Sequence, residues 1–150
     1  MTEFEIGGIY RTEKAFSGRM DGREAKSRWF IYLGKSGLFE KPVLLYLLTA
    51  TTQVHHFQAG GDKAGMNYVL FPAGCCGFEA GCAVCADELI DNMSLSAFER
   101  LVPVKKGKLS DQKAKELYEK IRNSRYIMRK IKVLIHDSLN AFVSGLPMPK

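Results

Sequence analysis

Two apolar stretches decide the fold, Ser27-Arg28-Trp29-Phe30-Ile31-Tyr32-Leu33-Gly34 and Val43-Leu44-Leu45-Tyr46-Leu47-Leu48-Thr49-Ala50-Thr51-Thr52-Gln53. β-Branched, aromatic and aliphatic residues dominate both stretches, and the turn-rich segment Gly34-Lys35-Ser36-Gly37 and Pro42 lie between them. This pattern predicts two adjacent strands of one buried sheet rather than a helix.

Polar residues stand at the outer ends of these two strands. If the strands pair antiparallel, the start of the first lies beside the end of the second. Arg28 is then close to Thr51, Thr52 and Gln53 at one rim of the sheet. We take this rim as the candidate site.

Length and composition favour one domain spanning residues 1–150. With 150 residues and 46% hydrophobic content, the chain can bury a single sizeable core. The longest apolar run, residues 43–48, is far shorter than the roughly 20 residues of a membrane-spanning helix, and the N-terminus carries Glu3 and Glu5 instead of a signal sequence. We therefore expect a cytoplasmic protein without membrane association.

The chain is basic, with 22 Lys and Arg against 16 Asp and Glu, a formal net charge of +6. Such a surface favours polyanions such as RNA or DNA, or a strongly acidic protein partner. A basic surface that only keeps the protein in solution is the alternative, because many basic domains bind no nucleic acid.

All four cysteines lie within residues 75–85. Cys82 and Cys85 have the spacing of a zinc knuckle, whereas the adjacent Cys75 and Cys76 are poor knuckle partners. The Cys82/Cys85 pair is equally typical of small buried residues on a strand, and we favour that interpretation over a metal or disulfide role.

His55 and His56 are the other potential metal ligands. Consecutive side chains of an extended segment point to opposite faces, and no third ligand is close in sequence, so we predict no metal site. At most one of the two faces the candidate groove, where its imidazole either contacts phosphate or is simply exposed.

In the first half of the remaining chain we predict a strand around Gly8-Ile9-Tyr10, a polar loop at 17–27 and a flexible connector at 58–65. Strands at 66–71 and 82–90 follow, and then a short helical turn at 94–98 and an edge strand at 101–106. The loop at 17–27 is either simply solvated or a mobile flap over a substrate groove. Strands first and helices last indicate an α+β fold with a compact antiparallel sheet or small barrel.

Two helices are predicted near the C-terminus. Ser110 is a plausible N-cap for the first helix, and a second apolar periodicity extends over about 124–143. Its stripe comprises Ile127, Ile131, Leu134, Ile135, Leu139 and Phe142, and its cationic exterior comprises Arg125, Arg129, Lys130 and Lys132. The stripe either completes the core or buries a dimer contact, and the cations are either solvated or contact RNA.

The chain resembles the MazF/PemK family of toxin endoribonucleases over residues 7–122. The matching stretches, in chain order, are Gly8-Ile9-Tyr10, Arg28 followed by Trp29-Phe30-Ile31-Tyr32-Leu33, Thr51-Thr52-Gln53, Gly77-Phe78-Glu79, Asp87-Glu88-Leu89-Ile90 and Gly107-Lys108-Leu109-Ser110. The chain departs from the family in Trp29, where proline is usual, in the cysteine cluster, in the 58–65 connector and in its longer C-terminal helix.

The resemblance implies a small SH3-like antiparallel β-barrel of the MazF/PemK/CcdB kind with C-terminal helices. It also implies the toxin component of a type II toxin-antitoxin system. Such a toxin is a homodimeric mRNA interferase that cleaves single-stranded RNA sequence-selectively without a metal or cofactor, and its natural inhibitor is a cognate antitoxin. Arg28 and Thr51 match the residues that carry catalysis in that family.

The chemistry of these residues suits ribonuclease action. The guanidinium of Arg28 can pair with two phosphate oxygens as charge develops, and the hydroxyl of Thr51 can hydrogen-bond a phosphate or the 2′-hydroxyl. Further candidates for RNA binding or proton transfer are Arg23, Glu24, Lys26, Thr52, Gln53 and His55. A non-catalytic barrel that binds nucleic acid or a regulatory protein through the same groove is the alternative.

Overall fold

The computed structural model describes residues 3–13, 28–37 and 41–149. In this part of the chain there are seven strands and three α-helices. The strands are β1 (Gly8–Thr12), β2 (Trp29–Lys35), β3 (Leu44–Thr51), β4 (Tyr68–Phe71), β5 (Cys82–Cys85), β6 (Ile90–Ser94) and β7 (Pro103–Lys108). The helices are α1 (Leu95–Arg100), α2 (Asp111–Asn123) and α3 (Arg129–Asn140).

The strands form one antiparallel sheet in the order β4-β5-β3-β2-β1-β7, and β6 also pairs with β3. The predicted α+β fold, with its antiparallel sheet and C-terminal helices, is therefore confirmed. Within the described ranges, β4 and β7 end the order without pairing to each other, so the sheet is not closed into a barrel. The 3-10 turn Cys75–Gly77, which follows β4, nevertheless lies against β7.

The central strands β2 and β3 are buried on both faces of the sheet. Along β2, Ile31 and Leu33 belong to the cluster that α2 and α3 cover, whereas Phe30 and Tyr32 belong to a second cluster with Phe98 of α1. Successive side chains of a strand point to opposite faces, so a strand covered on both sides reads as a continuous apolar run. This is why the two stretches that decide the fold show no polar alternation.

The single strand predicted for residues 82–90 is wrong. β5 ends at Cys85, the 3-10 turn Ala86–Glu88 follows, and β6 continues along the same edge of β3. Asp87 stands in this interruption and accepts hydrogen bonds from the backbone N–H of Asn67 at 2.8 Å and from its side-chain amide at 3.1 Å. These long-range bonds favour the turn over a continuous strand.

The two C-terminal helices differ in how well their starts were predicted. Ser110 caps α2 as expected, because its hydroxyl accepts a hydrogen bond from the N–H of Lys113 at 3.2 Å. α3 begins only at Arg129, however, because Ser124 is extended and its hydroxyl accepts a hydrogen bond from the N–H of Tyr126. A serine that bonds nearby backbone in this way competes with helix formation.

The apolar stripe of α3 completes the core of its own chain. Ile135 and Leu139 are fully buried, Ile127 and Ile131 are nearly so, and the whole set packs with residues of the sheet and of α2. Of the two alternatives, the core role is therefore confirmed. The homodimer interface that we expected from this stripe loses its basis, since the stripe is already covered.

Lys132 is not part of the cationic exterior, contrary to the prediction. Its side chain is 6% exposed, and its Nζ donates hydrogen bonds to the carbonyls of Arg122 at 2.9 Å and Ser124 at 2.7 Å. The last carbonyls of a helix lack partners within that helix, so this ammonium caps the end of α2. Arg125, Arg129 and Lys130 are exposed as predicted.

No helix in the described ranges is both long and apolar enough to cross a membrane.

Candidate functional site

Arg28 and Thr51 occupy neighbouring positions on one face of the sheet. Trp29 pairs with Ala50 in the register of β2 and β3, so Arg28 and Thr51, one step farther out, lie opposite each other. Residues that face each other across an antiparallel pair project to the same side. The predicted antiparallel pairing is thus confirmed, whereas the catalytic roles of the two residues stay a prediction.

Thr12 of β1 extends this pair to a row of three residues, Thr12, Arg28 and Thr51, on the same face of the sheet. Arg11 pairs with Trp29, which puts the fully buried Thr12 opposite Arg28. The hydroxyl of Thr12 accepts a hydrogen bond from the N–H of Arg28 at 3.1 Å, and the N–H of Thr12 donates to the carbonyl of Arg28 at 2.9 Å. The backbone of Arg28 is therefore fixed by β1, a role that the sequence analysis missed.

Trp29 faces the other side of the sheet and is covered from two directions. The guanidinium carbon of Arg11 lies 5.9 Å from the Trp29 ring centroid, and the Phe78 ring centroid lies 5.5 Å from it. Phe78 in turn packs edge-on against Phe71, with centroids 5.2 Å apart. Trp29 therefore attaches the 72–81 connection to the start of β2, a packing role that proline does not provide.

An open cavity of about 300 Å³ lies beside the candidate site. It is lined by Arg11, Thr12, Glu13, Val104 and Lys106. Two cations face one carboxylate there, so the walls carry a net positive charge that suits an anion. Because Thr12 lines the cavity and also binds the backbone of Arg28, the cavity adjoins the row of Arg28 and Thr51.

The strand β3 ends at Thr51, earlier than predicted, so Thr52 and Gln53 lie beyond it and are exposed. The hydroxyl of the half-buried Thr51 accepts a hydrogen bond from the N–H of Gln53 at 3.2 Å. This local bond is a serine/threonine turn, which replaces the strand pairing and directs the chain away from the sheet.

Of the two histidines, His56 has the polar partners. Its Nδ1 lies 2.7 Å from Oδ1 of Asp62, and its Nε2 lies 3.0 Å from Oε1 of Gln53. The hydrogen bond from His56 holds the pKa of Asp62 below its ordinary value. Gln53 thus links the turn at Thr51 to an imidazole whose orientation is fixed by a carboxylate.

The segment of the two histidines is not extended, contrary to our assumption. Val54–His56 is a 3-10 helix, and the rings of His55 and His56 lie against each other with centroids 4.3 Å apart. Both rings are therefore on the same side. His55, the predicted candidate, is exposed and covers His56. Three residues are too few for a hydrophobic periodicity that would distinguish a short helical turn from an extended segment.

Three predicted RNA-binding residues, Arg23, Glu24 and Lys26, and the 17–27 loop lie outside the described residues.

Cys82 and Cys85 are buried residues of β5, as favoured by the sequence. Burial raises the pKa of the Cys82 thiol to about 12 and that of the Cys85 thiol to about 11, so both are protonated at neutral pH. Cys82 packs in the cluster under α2 and α3, whereas Cys85 packs against Phe57 on the other face. In the part of the chain that the structure describes, no three His, Cys, Asp or Glu side chains are arranged to hold a metal ion.

No protein-family model matches the chain, and no curated protein sequence matches it.

Proposed function

We propose that this protein is a metal-independent endoribonuclease that cleaves single-stranded RNA. In this proposal it is the toxin of a type II toxin-antitoxin system, on an open variant of the SH3-like barrel of the MazF/PemK family. The opposition of Arg28 and Thr51 across β2 and β3 carries the proposal.

The row of Thr12, Arg28 and Thr51 suits a phosphodiester. A guanidinium pairs with two phosphate oxygens and remains charged, which stabilises the charge that develops as the 2′-oxygen attacks the phosphorus. Thr51 contributes a hydroxyl on the same side of the sheet, and the bonds from Thr12 hold the Arg28 backbone. A fixed backbone limits the rearrangement of the cation during the reaction, which favours electrostatic catalysis.

His56 is the group that we assign to proton transfer. Asp62 contacts its Nδ1 at 2.7 Å and Gln53 contacts its Nε2 at 3.0 Å, so proton transfer to RNA requires the contact with Gln53 to open first. Gln53 connects this ring to the turn at Thr51, so the imidazole belongs to the loop that borders the row. In this assignment His55 only packs against the ring of His56.

The partners follow from charge and from the family resemblance. A net charge of +6 favours mRNA as substrate and an acidic, initially disordered antitoxin segment as inhibitor. We further propose a cytoplasmic homodimer in which the antitoxin and RNA compete for the groove at Arg28 and Thr51. Its interface lies elsewhere than on the covered stripe of α3.

The test is to incubate the purified protein with mixed-sequence single-stranded RNA in EDTA and to map the ends of the products. Fragments with 2′,3′-cyclic phosphates, produced by the wild type and lost in Arg28→Ala, are expected. Binding without cleavage would instead support a non-catalytic module that uses the same groove. Cleavage that Arg28→Ala leaves unchanged would exclude Arg28 from the mechanism.

A further inference from the structure

Two adjacent cysteines in the 72–81 connection have their sulfur atoms in contact. The Sγ atoms of Cys75 and Cys76 are 3.2 Å apart, both residues are half-buried, and neither forms a disulfide. Cys76 has a φ of 60°, a left-handed conformation that is uncommon for a residue other than glycine. Unusual backbone conformations of this kind concentrate at functional and switching segments.

The turn around the two cysteines is tightly held. The N–H of Gly74 donates to the carbonyl of Phe78 at 2.7 Å, and the N–H of Phe78 donates to the carbonyl of Cys75 at 3.0 Å. These two bonds close the turn from both ends. A change in the backbone conformation between the two cysteines therefore disturbs the whole turn of residues 74–78.

The same turn packs against β7 without spare room. A Cβ atom at Gly77 would overlap the carbonyl of Lys106, and a Cβ atom at Gly107 would overlap the carbonyl of Cys76. The turn is therefore the contact through which the connection after β4 reaches β7. A rotation of the Cys75–Cys76 peptide redirects the Cys75 carbonyl, which accepts the hydrogen bond from Phe78. Loss of that bond opens the turn that holds the Cys76 carbonyl at this contact.

We propose that Cys75 and Cys76 are a redox-sensitive thiol pair, which a small-molecule disulfide such as oxidised glutathione converts to a vicinal disulfide, and that ring closure loosens the turn from β7. One cysteine sulfur attacks the small disulfide and releases one small thiol. The other cysteine sulfur then attacks the mixed disulfide and releases the second thiol. The two cysteines lose two electrons and two protons, which the two released thiols carry away. This proposal is independent of the proposed ribonuclease function.

The oxidised form is expected to be easily reduced. The peptide between the cysteines is trans, so their Cα atoms are about 3.8 Å apart, whereas disulfides usually join Cα atoms about 4.4–6.8 Å apart. A disulfide under such constraint is more oxidising than a structural one and belongs to the labile, regulatory class. In the reduced form, burial and the neighbouring Cys76 raise the pKa of the Cys75 thiol.

Cys82 is the alternative disulfide partner for Cys75 or Cys76. It lies near enough for Cys75 and Cys76 to contribute to its raised pKa, but it is buried on β5. A disulfide from Cys82 to either neighbour would have to draw a strand residue out of the core. We therefore expect oxidation within the adjacent pair.

The experiment equilibrates the full chain in a series of glutathione redox buffers, blocks free thiols by alkylation and locates the disulfides by peptide mass mapping. In the wild type and in Cys82→Ser, the peptide with Cys75 and Cys76 is expected to lose two hydrogens as the buffer becomes oxidising. Cys75→Ser and Cys76→Ser are expected to stop at a mixed disulfide with glutathione. A persistent glutathione adduct on the wild type, or a link to Cys82, would overturn the proposal.

Amide hydrogen exchange tests the structural consequence. Oxidation is expected to speed exchange at Lys106 and Lys108 of β7 at least several-fold, and the same oxidant should leave exchange in Cys75→Ser unchanged. Equal protection of β7 in the oxidised and reduced wild type would refute the loosening of the turn.

Discussion

The hydroxyl of Thr12 accepts a hydrogen bond from the backbone N–H of Arg28 at 3.1 Å, and Thr12 is completely buried. The half-buried Arg28 at the rim of the sheet is thereby fixed by a fully buried hydroxyl. A buried hydroxyl that makes such bonds is costly to lose, because the groups that it served are left without partners. The position of Arg28 thus depends on a residue of another strand.

Thr12→Val is expected to lower the free energy of unfolding by about 1–3 kcal/mol, because it leaves the Arg28 N–H unsatisfied at nearly constant volume. Urea unfolding monitored by circular dichroism measures the change. Thr12→Ser is the matched control, since it keeps the hydroxyl. Equal losses in the two variants would assign the effect to packing instead of the hydrogen bond.

Arg28→Ala is expected to fold normally and to cleave RNA about 10²-fold more slowly or worse, as when one charge-stabilising donor is removed. Arg28→Lys keeps the charge but not the planar fork, so it should restore only part of the rate. Arg125→Ala removes the same charge from an exposed position and serves as the control. Full activity in folded Arg28→Ala would exclude Arg28 from the mechanism.

RNA affinity is expected to fall steeply as salt rises, because each cation that contacts a phosphate releases a counterion. Fluorescence anisotropy with a labelled single strand, measured between low and high salt, gives the slope. Arg28→Ala should make the slope shallower by about one contact. Salt-independent affinity would point to a protein partner alone.

Asp87→Asn is expected to destabilise the fold near neutral pH and to have little effect in acid. Burial of Asp87 opposes its charge, but hydrogen bonds from Asn67 and Ser124, with the charge of Lys132, outweigh burial and lower the pKa of Asp87 below its ordinary value. A carboxylate with a depressed folded-state pKa stabilises the protein above its unfolded pKa of about 4, and this contribution disappears as pH falls through the lower folded value.

Thermal unfolding from pH 7 downward compares wild type with this variant. The difference in melting temperature should begin to narrow below a pH of about 4 and close only after the pH has fallen through the lowered folded-state pKa, where Asp87 is neutral. A difference that stays constant down to the lowest pH would show that the ionised carboxylate does not contribute.

Ile135→Ala is expected to cost about 2–5 kcal/mol of unfolding free energy, because a fully buried side chain leaves a cavity between α3 and the sheet. Arg129→Ala, at an exposed position of the same helix, should cost little. The two are compared by urea unfolding at several protein concentrations. A loss at Ile135 that depended on concentration would mean that this residue also supports an oligomer.

The main strands and α2 could be predicted from sequence because local chemistry determines them. Long apolar runs bounded by turn residues produced β2 and β3, and the side chain of Ser110 caps the helix that follows it. The break after Cys85 and the late start of α3 were missed, since partners distant in sequence or competing serine bonds decide both. The contact between His56 and Asp62 could not be predicted either, because the chain has to fold back before the two side chains meet. The RNA-binding role of His55 stays a prediction.

The sequence by itself determined an α+β chain with two strands whose antiparallel pairing brings Arg28 to Thr51, because hydrophobic period and turn chemistry act over a few residues. Only the tertiary structure decided that Thr12 holds Arg28, that Lys132 is buried against the end of α2, and that the stripe of α3 belongs to the core of its own chain. Those outcomes depend on which distant surfaces meet and exclude water, and burial and hydrogen-bond partners at such contacts are not encoded in any local pattern.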